Sequence, residues 1–242
     1  MNLVVIPAHN EEATVGRVVH AVRQAAPDVD VVVVNDNSRD QTAAHAEEAG
    51  ATVIHTGPTG RGYGGALIRG FAFAVERGYD LLATVDADGQ HDPRALPQLF
   101  LHAAHADVVS GSRYHAASPV GAGAPPPQRM RVNREFTELV NRLTGWSLTD
   151  AFCGYKAYRV PSLARLPLME TGYGFPLEFW IRAWHAGLVV VEVPVERIYL
   201  SADREFGNGL DDVEQRRAYY RRVLEQALAG TGRELESDAA VR

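Results

Sequence analysis

Cysteine occurs once, at Cys153, in a chain of 242 residues. That excludes an internal disulfide framework and a cysteine-rich zinc site, and a lone thiol of this kind is expected to be buried in a reducing compartment. No apolar run approaches the roughly 20 residues of a membrane-spanning helix. A basic, apolar leader is also missing, because the chain opens directly into the strand-like Asn2-Leu3-Val4-Val5-Ile6. The expected location is therefore the cytoplasm, or the inner face of a membrane as a peripheral protein. There is no internal repeat and no excess of basic charge. A net charge of −6 argues against a general nucleic-acid binder, whose affinity rests on surplus Lys and Arg.

What is present is ordinary globular usage, 46% apolar and 22% charged, enough for one large core. The charge is distributed unevenly. Residues 1–110 hold 7 Arg and 14 acids, whereas residues 111–242 hold 17 Lys/Arg and 16 acids. Within 111–160 seven basic residues face three acids, a candidate anion site. The first half alternates short Val/Leu/Ile runs with helical patterns: strands at 3–6, 31–34, 52–55, 81–85 and 107–110, and helices near 11–25, 42–49, 66–76 and 93–104. Such alternation predicts an α/β fold with a mostly parallel sheet flanked by helices on both faces. Right-handed crossovers then bring the strand-end loops, with Pro7, Asp36 and residues 86–90, to one edge. Further on, residues 116–127 read as a mobile Gly/Pro loop. Helices are predicted at 131–144, 176–186 and 211–228, and strands at 154–159 and 188–193.

Several polar turns at that edge carry candidate chemistry. Asp86-Ala87-Asp88-Gly89-Gln90 places two carboxylates directly after an apolar run. The pair suits a divalent cation that completes its shell with water and phosphate oxygens, although Asp and Gly also make ordinary turns. Pro7-Ala8-His9-Asn10-Glu11-Glu12 ends the first strand, where Asn10 could equally serve as a plain helix cap. Asn35-Asp36-Asn37-Ser38 offers Asp36 to a ribose or base, but Asx-turn chemistry explains it as well. Gly60-Arg61-Gly62-Tyr63-Gly64-Gly65 lets backbone approach a ligand closely. It lacks the Gly-Lys-Ser/Thr ending of a P-loop, and no dinucleotide fingerprint follows the first strand.

Taken in order, these elements resemble glycosyltransferase family 2, the nucleotide-sugar enzymes of the GT-A fold. Pro-Ala-His-Asn-Glu-Glu is similar to the family's Pro-x-Tyr/His-Asn-Glu opening, Asn-Asp-Asn-Ser to its Asp-Asp-Gly/Asn-Ser element, and Asp86 to Gln90 to its Asp-x-Asp metal motif. Gly60 to Gly65 resembles its Gly-Lys/Arg-Gly turn. Gly111-Ser112-Arg113-Tyr114 and Asp150-Ala151-Phe152-Cys153-Gly154-Tyr155-Lys156 are similar to segments of the dolichyl- and polyprenyl-phosphate sugar transferases, the dolichyl-phosphate mannose synthase branch. The resemblance implies one catalytic domain over 1–230, a nucleotide-binding half (1–115) and an acceptor half (116–230), with 231–242 a flexible tail. It further implies a nucleotide site of Pro7, Ala8, Glu11, Asp36, Arg61 and Asp86. Asp88 and Gln90 would hold Mg²⁺ or Mn²⁺. Asp86, Asp88 and Arg113 would carry the catalysis, and inversion would follow from a single displacement.

The implied reaction moves a hexose from a nucleotide sugar, GDP-mannose or a UDP-sugar, to a polyprenyl or dolichyl phosphate. An acceptor of that kind is already anionic and needs arginines rather than a base. Arg113, Arg129 and Arg131 are the candidates. A small soluble hydroxyl acceptor would instead need a carboxylate base, for which Asp150 and Glu178 are available. A non-catalytic binding protein on the same fold is a third reading, and a nucleotidyltransferase a fourth, the latter opposed by the missing Gly/Lys loop after the first strand. Arg216, Arg217, Arg221 and Arg222, interleaved with Tyr219 and Tyr220, could form an interfacial basic helix at a membrane or simply a solvated face. His9 is placed near the nucleotide, and His91 at the helix entry rather than on the metal, since these cations prefer oxygen. Arg197, Asp203 and Arg204 fall where related enzymes carry a loop that closes over the diphosphate.

Overall fold

The computed structural model describes residues 1–200 and 209–235; Asp203, Arg204 and residues 236–242 of the expected tail lie outside the described residues. Seven strands form one sheet: β1 (Asn2–Ala8), β2 (Asp30–Asn35), β3 (Thr52–His55), β4 (Leu81–Thr84), β5 (Val108–Ser112), β6 (Lys156–Arg159) and β7 (Val190–Pro194). Their spatial order is β3-β2-β1-β4-β6-β5-β7. Every pairing is parallel except those of β6, which runs antiparallel to both β4 and β5. The α-helices among the described residues are α1 (Val15–Ala25), α2 (Thr42–Glu48), α3 (Gly62–Arg77), α4 (Leu96–Ala103), α5 (Pro127–Thr144), α6 (Val160–Leu163), α7 (Phe175–His185) and α8 (Val213–Leu228).

Burial on both faces explains why the central strands are continuously apolar. Val4, Ile6, Val31 and Val33 point toward α1, α2 and α4, while Leu3, Val5, Val32 and Val34 point toward α3 and the helices of the second half. Period-2 alternation thus sends successive residues into two different cores. On the second face Gly70 of α3 meets β1 so closely that a Cβ there would lie 2.5 Å from Val5 Cγ1. Gly70→Ala is expected to cost about 1–3 kcal/mol through this overpacking, read as a lowered unfolding midpoint in urea.

Several expected boundaries move by a few residues, and the departures at α1, α5 and the 116–127 segment have local reasons. The first helix starts at Val15 rather than Glu11, because Asn10 adopts a φ of 54° and residues 11–14 form a turn closed by Thr14 N–H donating to Glu11 O at 3.0 Å. Helix α5 begins at Pro127, a residue well suited to a first helical turn. The segment 116–127, expected to be mobile, is held along residues 197–199: Gly121 N–H donates to Arg197 O at 3.1 Å and Tyr199 N–H to Ala122 O at 2.7 Å. Gly123, at a φ of 73°, permits the approach, since a Cβ there would sit 2.1 Å from Tyr199 O. At the other end, residues 231–235 continue beside α7, with the Arg233 guanidinium 5.0 Å over the Trp184 ring.

Candidate active site

A cleft of about 980 Å³ opens at the carboxyl ends of β1, β2 and β4 and is closed on its far side by α5, α7 and α8. Its position is the one open α/β sheets use for ligands. Of the sequence candidates, Pro7, Ala8, Glu11, Asp36, Asp86, Asp88, Gln90, Arg113 and Arg129 all line it, and so does His9. Arg61 and Arg131 do not. Arg61 is exposed at the position preceding α3, where its side chain makes no capping hydrogen bond. Arg131 lies two residues beyond Arg129 on α5, which rotates it about 200° around the helix into solvent.

The floor of the cleft beneath β1 and β2 is stitched from three strand-end turns. Asn10 Oδ1 accepts from Arg39 N at 2.9 Å, and Glu11 N donates to Thr42 Oγ1 at 2.8 Å. His9 Nδ1 lies 2.7 Å from Asp36 O. The Asp36 carboxylate accepts from Arg61 N at 2.6 Å and Gly62 N at 2.7 Å, and also from the Thr56 hydroxyl. Gly65 N donates to Thr171 O at 3.0 Å. The Arg61 N–H and, in the first turn of α3, those of Gly62 and Gly65 are thereby engaged within the protein, so the glycine turn works as a brace under Asp36.

The Asp86 to Gln90 turn is held from behind. Tyr63 Oη donates to Asp86 Oδ1 at 3.1 Å, and Asp86 N donates to His91 Nδ1 at 3.1 Å. The imidazole is stacked on Tyr155 at 4.9 Å, and burial pulls its pKa down to about 4. A neutral ring that accepts at Nδ1 carries its proton on Nε2, which faces Asp86 Oδ2 at 3.6 Å. His91 therefore supports the turn. Asp88 Oδ1 accepts from Gln90 N at 3.0 Å, an Asx turn that leaves the carboxylate on the cleft.

This donor set fits a hard cation. Two carboxylates and an amide, all oxygen donors, line one short turn, and no group of three or more His, Cys, Asp or Glu that could hold a metal occurs among the described residues. So sparse a set matches Mg²⁺, which keeps water and ligand phosphate oxygens in most of its positions.

Across the cleft the chemistry changes sign. Among the described lining residues the carboxylates are Glu11, Asp36, Asp86 and Asp88, all before residue 90; from residue 113 onward the lining contributes Arg113, Arg129 and Arg222 with Phe152, Tyr173, Tyr199, Tyr219 and Tyr220. Arg113 is held by Asp150 through Nε to Oδ2 at 2.7 Å and Nη2 to Oδ1 at 3.0 Å. Burial opposes both charges, yet each partner overrides it: the Arg113 pKa rises and that of Asp150 falls. Asp150 is itself clamped, because Glu192 on β7 accepts from Asp150 N at 3.1 Å and from Thr149 N at 2.7 Å. Gly154 in the same segment lies against Asp86, where a Cβ would meet the carboxylate at 2.9 Å.

Both candidate bases are thus removed from the cleft. Asp150 is 1% exposed and ion-paired. Glu178 accepts from Met169 N at 2.9 Å and Glu170 N at 2.6 Å and faces Arg182 at 3.6 Å. The α8 arginines do not form one face either. Arg216 is buried, Arg217 pairs with Glu135 and Glu214, and Arg222 lines the cleft.

A mostly parallel α/β sheet with an Asp-x-Asp turn at the carboxyl end of a central strand, faced by an arginine-bearing wall, defines a GT-A glycosyltransferase. The chain belongs to glycosyl transferase family 2, whose pattern matches residues 3–166. It is 36% identical over 214 residues to the undecaprenyl-phosphate mannosyltransferase of Micrococcus luteus, covering 85% of each chain. It is 36% identical over 203 residues to the polyprenol monophosphomannose synthase of Mycolicibacterium smegmatis, covering 80% of this chain and 76% of that one. In fold it resembles glucosyl-3-phosphoglycerate synthase from Mycobacterium tuberculosis, crystallised with Mn²⁺, UDP and glucosyl-3-phosphoglycerate. The TM-score is 0.70 at 20% identity over 98% of this chain and 81% of that one.

The aromatic lining of the cleft is only partly legible in the sequence. Tyr63, Phe152 and Tyr173 come from distant segments, and the stacking of Tyr63 on Tyr173 at 6.0 Å across 110 residues has no local signature. Tyr219 and Tyr220 were visible as a pair, but only the packing of α8 turns them to the cleft.

Proposed function

We propose that this enzyme transfers a hexose from a nucleotide sugar to a polyprenyl phosphate in one metal-dependent, inverting displacement. Pro7, Ala8, Glu11 and Asp36 take the nucleoside, with Asp86 orienting the sugar. Asp88 and Gln90 hold Mg²⁺ or Mn²⁺. When bound, the ion supplies electrophilic stabilisation to the leaving diphosphate. A phosphate oxygen of the acceptor attacks the anomeric carbon as the bond to the diphosphate breaks, and that electron pair leaves on the β-phosphate oxygen. In-line attack inverts the anomeric centre. Arg113, fixed by Asp150, and Arg129 hold the acceptor phosphate.

The observation that carries this reading is the wall opposite the Asp86 turn. It presents arginines and aromatic rings with no described carboxylate, while the two acids suited to activating a hydroxyl are locked in other contacts. An acceptor that arrives already ionised needs charge and an apolar path, and this wall supplies both. The names of the two bacterial relatives support the same acceptor. No helix among the described residues is long and apolar enough to cross a membrane, so reaching a lipid implies peripheral contact with the bilayer surface.

One radiolabelled-sugar assay tests the acceptor. With GDP-mannose and UDP-hexoses offered in turn, label is expected to move into the organic phase when polyprenyl phosphate is present and to stay with the nucleotide when only soluble sugars or glycerates are supplied. Transfer confined to a soluble hydroxyl acceptor would overturn the assignment.

A further inference from the structure

We infer that Arg222 of α8 is a binding residue for the acceptor's phosphate, an inference that rests on the acceptor reading above. As a sequence, Arg216, Arg217, Arg221 and Arg222 suggest one basic stripe directed at a membrane surface. The fold separates them, because α8 packs on α7 and α5 and buries the flank that carries Arg216 and Tyr220. Arg217 is taken up by Glu135 and Glu214, each at 2.8 Å. Arg222 alone of the four lines the cleft, one helical turn beyond Tyr219.

The position of Arg222 is prepared from below. Its Cζ lies 5.6 Å from the centroid of the Tyr219 ring, a cation–π contact. That ring is itself fixed at its hydroxyl, which donates to Glu170 Oε1 at 2.5 Å and accepts from Gly174 N at 3.0 Å. Gly172 N donates to the same Glu170 oxygen at 2.7 Å, so the residue 170–174 turn and α8 form one support. Gly172 matches this closeness, since a Cβ there would sit 2.5 Å from the Tyr219 hydroxyl.

Charge accounting distinguishes Arg222 from Arg113. The Arg113 guanidinium shares two hydrogen bonds with Asp150 and its charge is matched in place. No carboxylate among the described residues forms an ion pair with Arg222, which stands over the Tyr219 ring. A stacked guanidinium keeps its N–H edge for an anion, and phosphate accepts that planar fork in two parallel bonds. Such geometry points to a phosphate monoester with an apolar continuation along the Tyr219 ring.

The test uses a water-soluble short-chain prenyl phosphate alongside a long-chain polyprenyl phosphate in vesicles that contain anionic lipid. Arg222→Gln is expected to raise the acceptor KM about 10–100-fold with both substrates, as befits one charge-assisted hydrogen bond pair. The donor KM and the thermal midpoint stay at wild-type values, and Arg222→Lys recovers part of the loss because the charge returns without the fork. A KM that changes only in the vesicle arm would identify a contact with the membrane surface and overturn the inference, as would no change in either arm. A wild-type enzyme that transfers no sugar to any prenyl phosphate would overturn the acceptor reading itself, and this inference with it.

Discussion

Asp88→Asn removes sugar transfer by on the order of 10³-fold, about 4 kcal/mol of transition-state stabilisation, and leaves the folded protein intact. Asp88 sits on a partly exposed turn after β4, where its Oδ1 accepts the Asx bond from Gln90 N at 3.0 Å. Asparagine keeps an oxygen at the same place and preserves that turn. What it loses is the negative charge needed to hold a divalent cation against a leaving diphosphate. Asp86 behaves differently, because its carboxylate also anchors Tyr63 and faces His91. The check is a pair of measurements on one preparation: turnover at saturating donor and metal, and the thermal unfolding midpoint. Activity within tenfold of wild type at an unchanged midpoint would separate Asp88 from the chemistry.

Asp150→Asn strikes both stability and catalysis. It deletes one partner of a buried pair and strands the Arg113 charge, at a cost of about 3–5 kcal/mol. In a chain of this size that lowers Tm by roughly 6–20 °C. The pH dependence follows from the direction of the Asp150 shift. Its carboxyl, ordinarily at 3.8, is held lower in the fold by Arg113, which outweighs the opposing effect of burial. The folded state therefore binds fewer protons than the unfolded chain near that value. The pair's stabilisation is fully present above the unfolded value and is lost as pH falls through the lowered folded one. In Asp150→Asn this part of the acid limb disappears, so wild type and variant converge in stability as pH drops below about 4. Parallel urea titrations at neutral and acid pH measure the convergence. Equal stability of the two proteins at pH 7 would contradict the role given to the pair.

How much of this was legible in advance depends on the range of the interaction. Strands β1, β2 and β4 fall nearly on the expected residues because double-sided burial writes itself into the chain as apolar runs; β3, an edge strand with no buried residue, falls on them through its β-branched Thr52, Val53 and Ile54. The convergence of Pro7, Asp36 and Asp86 follows from parallel topology alone. Direction is another matter: nothing in Lys156–Arg159 announces that β6 inserts antiparallel between β4 and β5, since the alternation of residues in a short strand is the same read either way. The pairing of Arg113 with Asp150 spans 37 residues and depends on that insertion, which brings the 150–155 segment beside β5 and Asp86. For α8 the residue types were evident and their orientation was not, because one helix can present Arg216 or Arg222 inward only according to what packs against it.

Calorimetric titration of the intact chain with GDP and UDP, with and without Mn²⁺, tests the central claim most directly. The nucleotide-and-metal site built on Asp36, Asp86 and Asp88 predicts that one of the two nucleotides binds, that its affinity falls sharply when the metal is withheld, and that Asp88→Asn binds as the metal-free wild type does. Binding that is indifferent to Mn²⁺ in both proteins, or no binding of either nucleotide, would contradict it.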